Sequence, residues 1–178
     1  MSNFFEKSDL SRKDAENIIS DTLKKCDDGE LYLENLVNES FLFDDNVLKS
    51  SSFNKSEGFG LRAINDELIG YSHSNNIDIT SLKNAADIVS SVKKGYSGTY
   101  ALDPNKTNKK LYTDQNPIES IEYKRKIKLL KDINEYARKI DNRTRQVSIS
   151  LSGSHQKINI LRPMSNILED IRPLVRLN

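Results

Sequence analysis

Between Leu31 and Ser74 the chain places alternating apolar and polar residues in successive runs that are separated only by short polar clusters. That spacing constrains the fold more than any other feature. Parallel neighbouring strands need a crossover of about a dozen residues or more, so runs joined this closely must pair as an antiparallel meander. Leu31, Leu33 and Leu36 open the first run, which continues through Glu39, Phe41 and Phe43. Its parity slips near Asn35 to Asn38, which predicts a bulge. Asp44-Asp45-Asn46 is a turn cluster of residues whose side chains bond their own backbone. A second strand is expected from Val47 to Asn54 and a third from Glu57 to Asn65. A turn at Asn65-Asp66 then leads to a fourth strand from Leu68 to Ser74.

Helical periods flank the meander. From Ser8 to Cys26, Ala15, Ile18, Ile19 and Leu23 recur at three- and four-residue spacing, with Lys24 and Lys25 in the last turn. Asp27-Asp28-Gly29 is expected to stop this helix. Asp78 reads as the N-cap of a second helix running to Lys93 or Lys94, with Leu82, Ala85, Ala86, Val89 and Val92 as its stripe and Gly95 as its end. Tyr96 to Asn116 has no period and reads as an exposed loop. A third helix is predicted from Pro117 to Ile140, where Tyr123, Ile127, Leu130, Ile133, Ala137 and Ile140 form one seam. The period then returns to two at Val147, Ile149 and Leu151. Gly153-Ser154 is a turn signal, with Ile158 and Ile160 on the returning strand, and Ile167 to Asn178 is strand-like but interrupted by Pro173. The expected class is α+β: an antiparallel sheet, a meander plus a C-terminal hairpin, with about three helices packed mainly on one face.

A chain of 178 residues fits one domain and leaves room for two small ones, and a single domain spanning 1–178 is the expectation. The terminal Pro-Leu-Val-Arg-Leu-Asn reads as a strand cut through its middle, because natural ends are usually polar and loosely held. We therefore expect a fragment of a longer protein. Lys plus Arg is 27 against 26 for Asp plus Glu, and a net charge of +1 argues against a dominant phosphate-binding or membrane-binding surface. No apolar run approaches the ~20 residues that a bilayer requires. The N-terminus has no basic segment followed by an apolar one, so a cytoplasmic location is expected.

The residue inventory narrows the chemistry. One cysteine excludes a disulfide framework and a Cys-based zinc ribbon. The two histidines, His73 and His155, stand far apart and neither belongs to an HExxH pair. No GxxxxGK[ST] phosphate loop or GxSxG nucleophile turn is present. His73 reads as a solvated strand-face residue and His155 as an exposed residue of a hairpin turn. Cys26 falls at a helix C-terminus, where the dipole raises a thiol pKa and disfavours a nucleophile. Gly58-Phe59-Gly60 lies inside a strand pattern, so close packing is the expected reason for its glycines. Lys124, Arg125, Lys126, Lys128 and Lys131 form the strongest positive cluster. With Asp132 and Glu135 nearby they read as a solvated helix face rather than a nucleic-acid site. These residues describe an α+β domain without an active site of its own.

Several segments, in order, resemble the amino-terminal domain of the TldD/PmbA family. They are Asp28-Gly29-Glu30-Leu31-Tyr32-Leu33-Glu34, then Asp44 to Ser50, then Ser52-Phe53-Asn54 with Glu57 to Ala63, then Gly70-Tyr71-Ser72 and the Asp78 helix. Ser148 to Ser154 and Ile171 to Asn178 are similar to the TldD branch in particular. The resemblance implies a zinc metalloprotease, historically labelled a modulator of DNA gyrase. Such proteins work as a heterodimer of TldD with PmbA (TldE), which trims microcin precursors, degrades an antitoxin and threads unfolded peptides into a closed cavity. It also implies a zinc site of HExxxH plus a later Cys in a carboxy-terminal domain. No histidine here is followed by Glu at that offset. No catalytic, cofactor-binding or metal residue is therefore carried over, and zinc is expected only in the missing domain.

The function this implies is a non-catalytic domain acting in subunit contact and substrate access, with the free meander edge open to an extended peptide. The alternative is a stand-alone protein-interaction module. Self-association through a strand edge is a further expectation for a truncated domain.

Overall fold

The turn residues of the meander sit where strand twist needs them. Asp45 and Asn46 adopt φ of 46° and 65°, a left-handed conformation that short, locally bonding side chains tolerate. They connect β1, Asp28–Asp44, to β2, Val47–Asn65, in the two-residue arrangement favoured for hairpins. Asp66, at φ 53°, turns β2 into β3, Leu68–Ser74. Asn65 there lies opposite Leu68, and Phe59 lies opposite Ser74, in antiparallel register. The computed structural model describes residues 4–6, 8–92, 111–164 and 167–178. Its remaining elements are α1, Arg12–Leu23, α2, Ile79–Val89, α3, Tyr123–Ile140, β4, Ser148–Leu161, and β5, Leu168–Leu177. The five strands form one antiparallel sheet in the order β3-β2-β1-β4-β5, with three helices among the described residues, so the α+β expectation holds.

Several boundaries differ from expectation for identifiable reasons. The segments Val47 to Asn54 and Glu57 to Asn65 are one strand of 19 residues, so the meander has three strands rather than four. Side chains from Lys49 to Glu57 are exposed and read as a break, but strand pairing belongs to the backbone and no proline interrupts it. In β1 the buried residues Leu31, Leu33, Val37, Phe41 and Phe43 all share odd parity. No parity slip occurs at Asn35 to Asn38, and Leu36 simply falls on the other face. Gly153-Ser154 is not a turn: Gly153 has no positive φ, and β4 runs straight through it. The returning strand is β5, where Ser150 and Asn178 exchange N–H···O=C bonds of 2.9 Å. Pro173 is accommodated because β5 is an edge strand, where a missing donor need not break a ladder.

The chain divides into two compact units, each with its own core. The first comprises the described residues of Met1–Asn35, Ser56–Lys110 and Lys157–Asp170. In its core, Ala15, Ile19 and Leu23 of α1 and Leu82, Ala85 and Val89 of α2 meet Leu31, Leu33, Phe59, Leu61 and Ala63 of the sheet. The helix boundaries are set by caps. Ser11 Oγ accepts the Asp14 N–H at 3.1 Å, so α1 starts at Arg12 rather than Ser8. Asp78 accepts the Ser81 N–H at 2.7 Å, and Asp9 accepts that of Ile79 at 3.1 Å. Two carboxylates thus face the positive end of α2. A short 3₁₀ turn, Ser90–Val92, follows α2, and the predicted helix end at Lys93 to Gly95 lies outside the described residues, as does Tyr96 to Lys110 of the predicted loop.

The second unit comprises Leu36–Lys55, Leu111–Gln156 and Ile171–Asn178. Phe41, Phe43, Leu130, Ile149 and Leu151 form its core. Helix α3 begins at Tyr123, not Pro117. The intervening residues close a separate turn, in which Asn116 Oδ1 accepts the Ile118 N–H at 2.9 Å and the Asn116 carbonyl accepts that of Ser120 at 3.1 Å. At the start of β4, the Ser148 hydroxyl donates to Asp44 at 2.6 Å and the Gln146 amide donates to it at 3.0 Å. These bonds favour the charged carboxylate and hold its pKa below the ordinary aspartate value.

Two outcomes follow from this packing. Leu61 is fully buried and Phe53 is 63% exposed. Leu61→Ala is expected to lower the unfolding free energy by about 2–5 kcal/mol in a urea titration, whereas Phe53→Ala stays within about 0.5 kcal/mol. Because the folded pKa of Asp44 is depressed, its contribution to stability is complete above the unfolded-chain pKa and is lost as pH falls through the folded value. Carboxyl NMR titration should show Asp44 ionising below a free aspartate, and Ser148→Ala should move that midpoint upward.

Candidate functional site

Helix α3 presents one stripe at four-residue spacing, and three of its four members are polar. Lys126, Leu130 and Asn134 are the buried residues of the helix. Lys126 Nζ donates to Glu39 Oε1 at 2.5 Å and to the Ile118 carbonyl at 2.7 Å. The side chains of Lys126 and Glu39 are only 7% and 12% exposed. Asn134 Nδ2 donates to Asn46 Oδ1 at 2.6 Å, and the Arg138 guanidinium donates to Asp45. The helix is thus fixed to β1 and to its turn by charge and amide pairing on either side of Leu130.

The predicted seam holds in the middle of the helix, where Leu130 is in the core and Ile127 and Ile133 pack against it, and fails at its ends. Tyr123 and Ile140 are 52% and 69% exposed, although both were expected in the core. Lys126, expected on a solvated face, is buried. The missed signal was Glu39, which sits on the odd, inward parity of β1 between Val37 and Phe41. A carboxylate in that row requires a buried cation opposite it.

Beside the ion pair a cleft of about 420 Å³ opens in the second unit. Ile121, Leu129, Leu151, Pro173 and Val175 supply its apolar walls, and Glu39, Lys126 and Arg125 supply charge. Gly153 lies close by: a Cβ there would touch Ile118 at 3.4 Å and Glu39 at 3.5 Å.

A second concavity, of about 230 Å³, lies in the first unit. Gly58 and Gly60 of β2 form part of its lining, with Tyr32 and Glu34 from β1 and Tyr71 and His73 from β3. A Cβ on Gly58 would meet the Ser74 carbonyl oxygen at 2.5 Å, so close packing accounts for this glycine. His73 is exposed and stacks on Tyr71, with ring centroids 5.8 Å apart and planes inclined by 27°. The expectation of a solvated strand histidine holds for it.

His155 was expected in an exposed turn but is 3% exposed, because β4 continues through it and its odd parity faces inward with Ile149 and Leu151. Cys26 is also buried, with Sγ 4.0 Å from the Thr22 carbonyl, a setting that shields a thiol from reaction. Lys128 pairs with Asp132 at 2.6 Å on the exposed side of α3, as a solvated helix face would. Among the described residues, no three His, Cys, Asp or Glu side chains are grouped as a metal site requires. No helix among them is long and apolar enough to cross a membrane.

The buried ion pair gives a direct test of the stripe. Lys126→Met leaves Glu39 buried without its cation and is expected to cost about 3–5 kcal/mol in urea unfolding. The double replacement Lys126→Met with Glu39→Leu should recover much of that loss, so the two single effects should sum to well above the double.

Comparison with known proteins places this architecture. Residues 29–105 match the sequence profile of PmbA/TldA metallopeptidase domain 1. The chain is 32% identical over 155 residues to the "Metalloprotease TldD homolog" of the Buchnera aphidicola of Acyrthosiphon pisum, covering 86% of this chain and 32% of that protein. It is 31% identical over 159 residues to the protein of the same description from Haemophilus influenzae, covering 87% and 33%. The chain therefore spans about a third of the length of these curated relatives. Among solved structures, a candidate modulator of DNA gyrase from Bacteroides thetaiotaomicron superposes with a TM-score of 0.70 at 19% identity, over 94% of this chain and 40% of that one. TldE from Thermococcus kodakarensis superposes at 0.65 and 16% identity, over 91% and 37%. At such identities the structures report the shared fold, while the sequence matches report descent. The chain belongs to the TldD/PmbA family and carries its amino-terminal domain.

Proposed function

We propose that this chain serves a TldD-like zinc metalloprotease as a domain that does not itself hydrolyse peptides. Its work is contact with a PmbA/TldE-type subunit and admission of unfolded peptide to a proteolytic cavity built with the rest of a longer cytoplasmic protein. The observation that carries this reading is the match of residues 29–105 to the first domain of a metallopeptidase family, from relatives of which this chain spans a third. His73 is stacked on Tyr71 at the surface and His155 is buried in β4. The proposal assigns zinc to the rest of that longer protein.

The sheet supports the access role. Strand β3 ends the sheet on one side and exposes Leu68, Ile69 and Tyr71. An edge strand pairs with an extended peptide through backbone groups, which tolerates varied sequence. The alternative, a protein-interaction module without any proteolytic parent, draws on the exposed Leu129, Tyr136 and Ile140 of α3.

The two readings separate in one set of measurements. The purified chain supplied with zinc should bind far less than one equivalent and show no chelator-sensitive turnover of an unfolded peptide. Mixed with a PmbA/TldE-type subunit, it should form a complex in analytical ultracentrifugation. Stoichiometric zinc with peptidase turnover would overturn the non-catalytic assignment, and no complex with that subunit would favour the alternative. Absence of amide NMR shifts along β3 on adding unfolded peptide would remove the strand-addition element.

A further inference from the structure

The cleft of the second unit is open for a reason that its fold does not impose. Gly153 lines it on the inward row of β4, between the buried Leu151 and His155. A Cβ there would sit 3.4 Å from Ile118 and 3.5 Å from Glu39, which is ordinary van der Waals contact. Packing would admit a side chain at this position, and its lack leaves space in the cleft. Around that space Ile121 and Leu129 are each 45% exposed and Val175 is 57% exposed. Three aliphatic side chains of the lining thus present apolar surface to water. The volume of about 420 Å³ falls within the roughly 300–1,000 Å³ typical of small-ligand sites.

The charges of Lys126 and Glu39 cancel within their pair, and the same ammonium donates to the Ile118 carbonyl at 2.7 Å. Arg125, the neighbouring residue, lines the same cleft but is exposed. It stands four positions before Leu129 and so on the same face of α3. A guanidinium stays charged at any physiological pH, and its planar fork matches a carboxylate through two parallel hydrogen bonds. An apolar hollow with this cation at its rim selects for a molecule that is aliphatic at one end and anionic at the other.

We propose that this cleft binds an aliphatic carboxylate, with its hydrocarbon part against Ile121, Leu129 and Val175 and its carboxylate on the Arg125 guanidinium. The group is either a free short-chain acid or the C-terminal residue of a polypeptide that ends in an aliphatic side chain. The two sources share this chemistry and separate in the experiment. The site stands on the geometry of the second unit and does not depend on the proteolytic reading.

The test is an amide NMR titration of the chain with hexanoate against hexanamide, and with acetyl-Gly-Leu against acetyl-Gly-Leu-amide. An acid should give saturable shifts at Leu129, Gly153 and Val175, and its amide analogue should bind about three- to tenfold more weakly. Tighter binding of hexanoate would assign the site to a free acid, and tighter binding of acetyl-Gly-Leu would assign it to a polypeptide terminus. Arg125→Gln should bring the affinity for the acid down to that for the amide while leaving the amide unaffected, a split that a general loss of structure would not give. Leu129→Ala should weaken acid and amide alike, by severalfold. Both side chains reach the surface, so both variants should keep the fold, shown by otherwise unchanged spectra. Equal binding of acid and amide, absence of saturable shifts with either pair, or affinity unchanged in Arg125→Gln would overturn the proposal.

Discussion

The Lys126–Glu39 ion pair organises the second unit. A carboxylate on the inward parity of β1 is an expensive element, since desolvating it without a partner costs several kcal/mol. Only a cation delivered at one position satisfies it, and that position sets the rotation of α3. Once Lys126 faces Glu39, four-residue periodicity places Leu130 in the core with Phe41 and Phe43. It also brings Asn134 to Asn46 and Arg138 to Asp45. Apolar contacts are non-directional and by themselves specify the rotation of a helix less sharply. Directed donors on either side of one leucine specify it more tightly. The same lysine also takes up the Ile118 carbonyl, which ties the turn preceding α3 to the helix and sets one side of the cleft.

The first unit is built differently. Its hydrophobic cluster packs α1 and α2 on Leu31, Leu33, Phe59 and Leu61, with Thr22, Asn65 and Asn159 as buried polar residues, and two of its carboxylates serve one helix start. Asp9 and Asp78 both serve the N-terminus of α2. The glycines of β2 face away from that core. Apolar burial stabilises one side of the strand, while the other side is free to carry the rings and carboxylates of the concavity.

Legibility in the sequence followed the range of the interaction involved. The meander, its Asp-Asn turn and the Asp78 cap depend on residues within a few positions of each other, and they were readable from Asp44-Asp45-Asn46 and Asp78 directly. Strand β2 was read as two because exposed polar side chains from Lys49 to Glu57 mimic a loop, although strand pairing is made by backbone groups. Gly153-Ser154 was read as a turn because a dipeptide reports what the backbone is able to do. What it does depends on its surroundings, and here β4 runs on through it. The helix seam was right at Ile127, Leu130 and Ile133 but wrong at its ends, because Tyr123 and Ile140 look more buriable than Lys126 and Asn134, and only the partners of those polar residues reverse the order. The residues that matter at the two concavities come from segments 22 to 87 positions apart, as with Asn35 and Glu57 or Lys126 and Glu39.

By itself the sequence determined the α+β class, the antiparallel pairing, the caps and the family. Each is written in local periodicity, short connections or ordered motifs. Tertiary structure alone decided that Lys126 and His155 are buried, that β2 is a single strand, and that glycines, tyrosines and carboxylates from three strands share one hollow. The physical reason is the same in each case. Burial of a charge, and convergence of side chains from distant segments, are properties of a pair or a cluster, and a single position in the chain carries only half of such a pair.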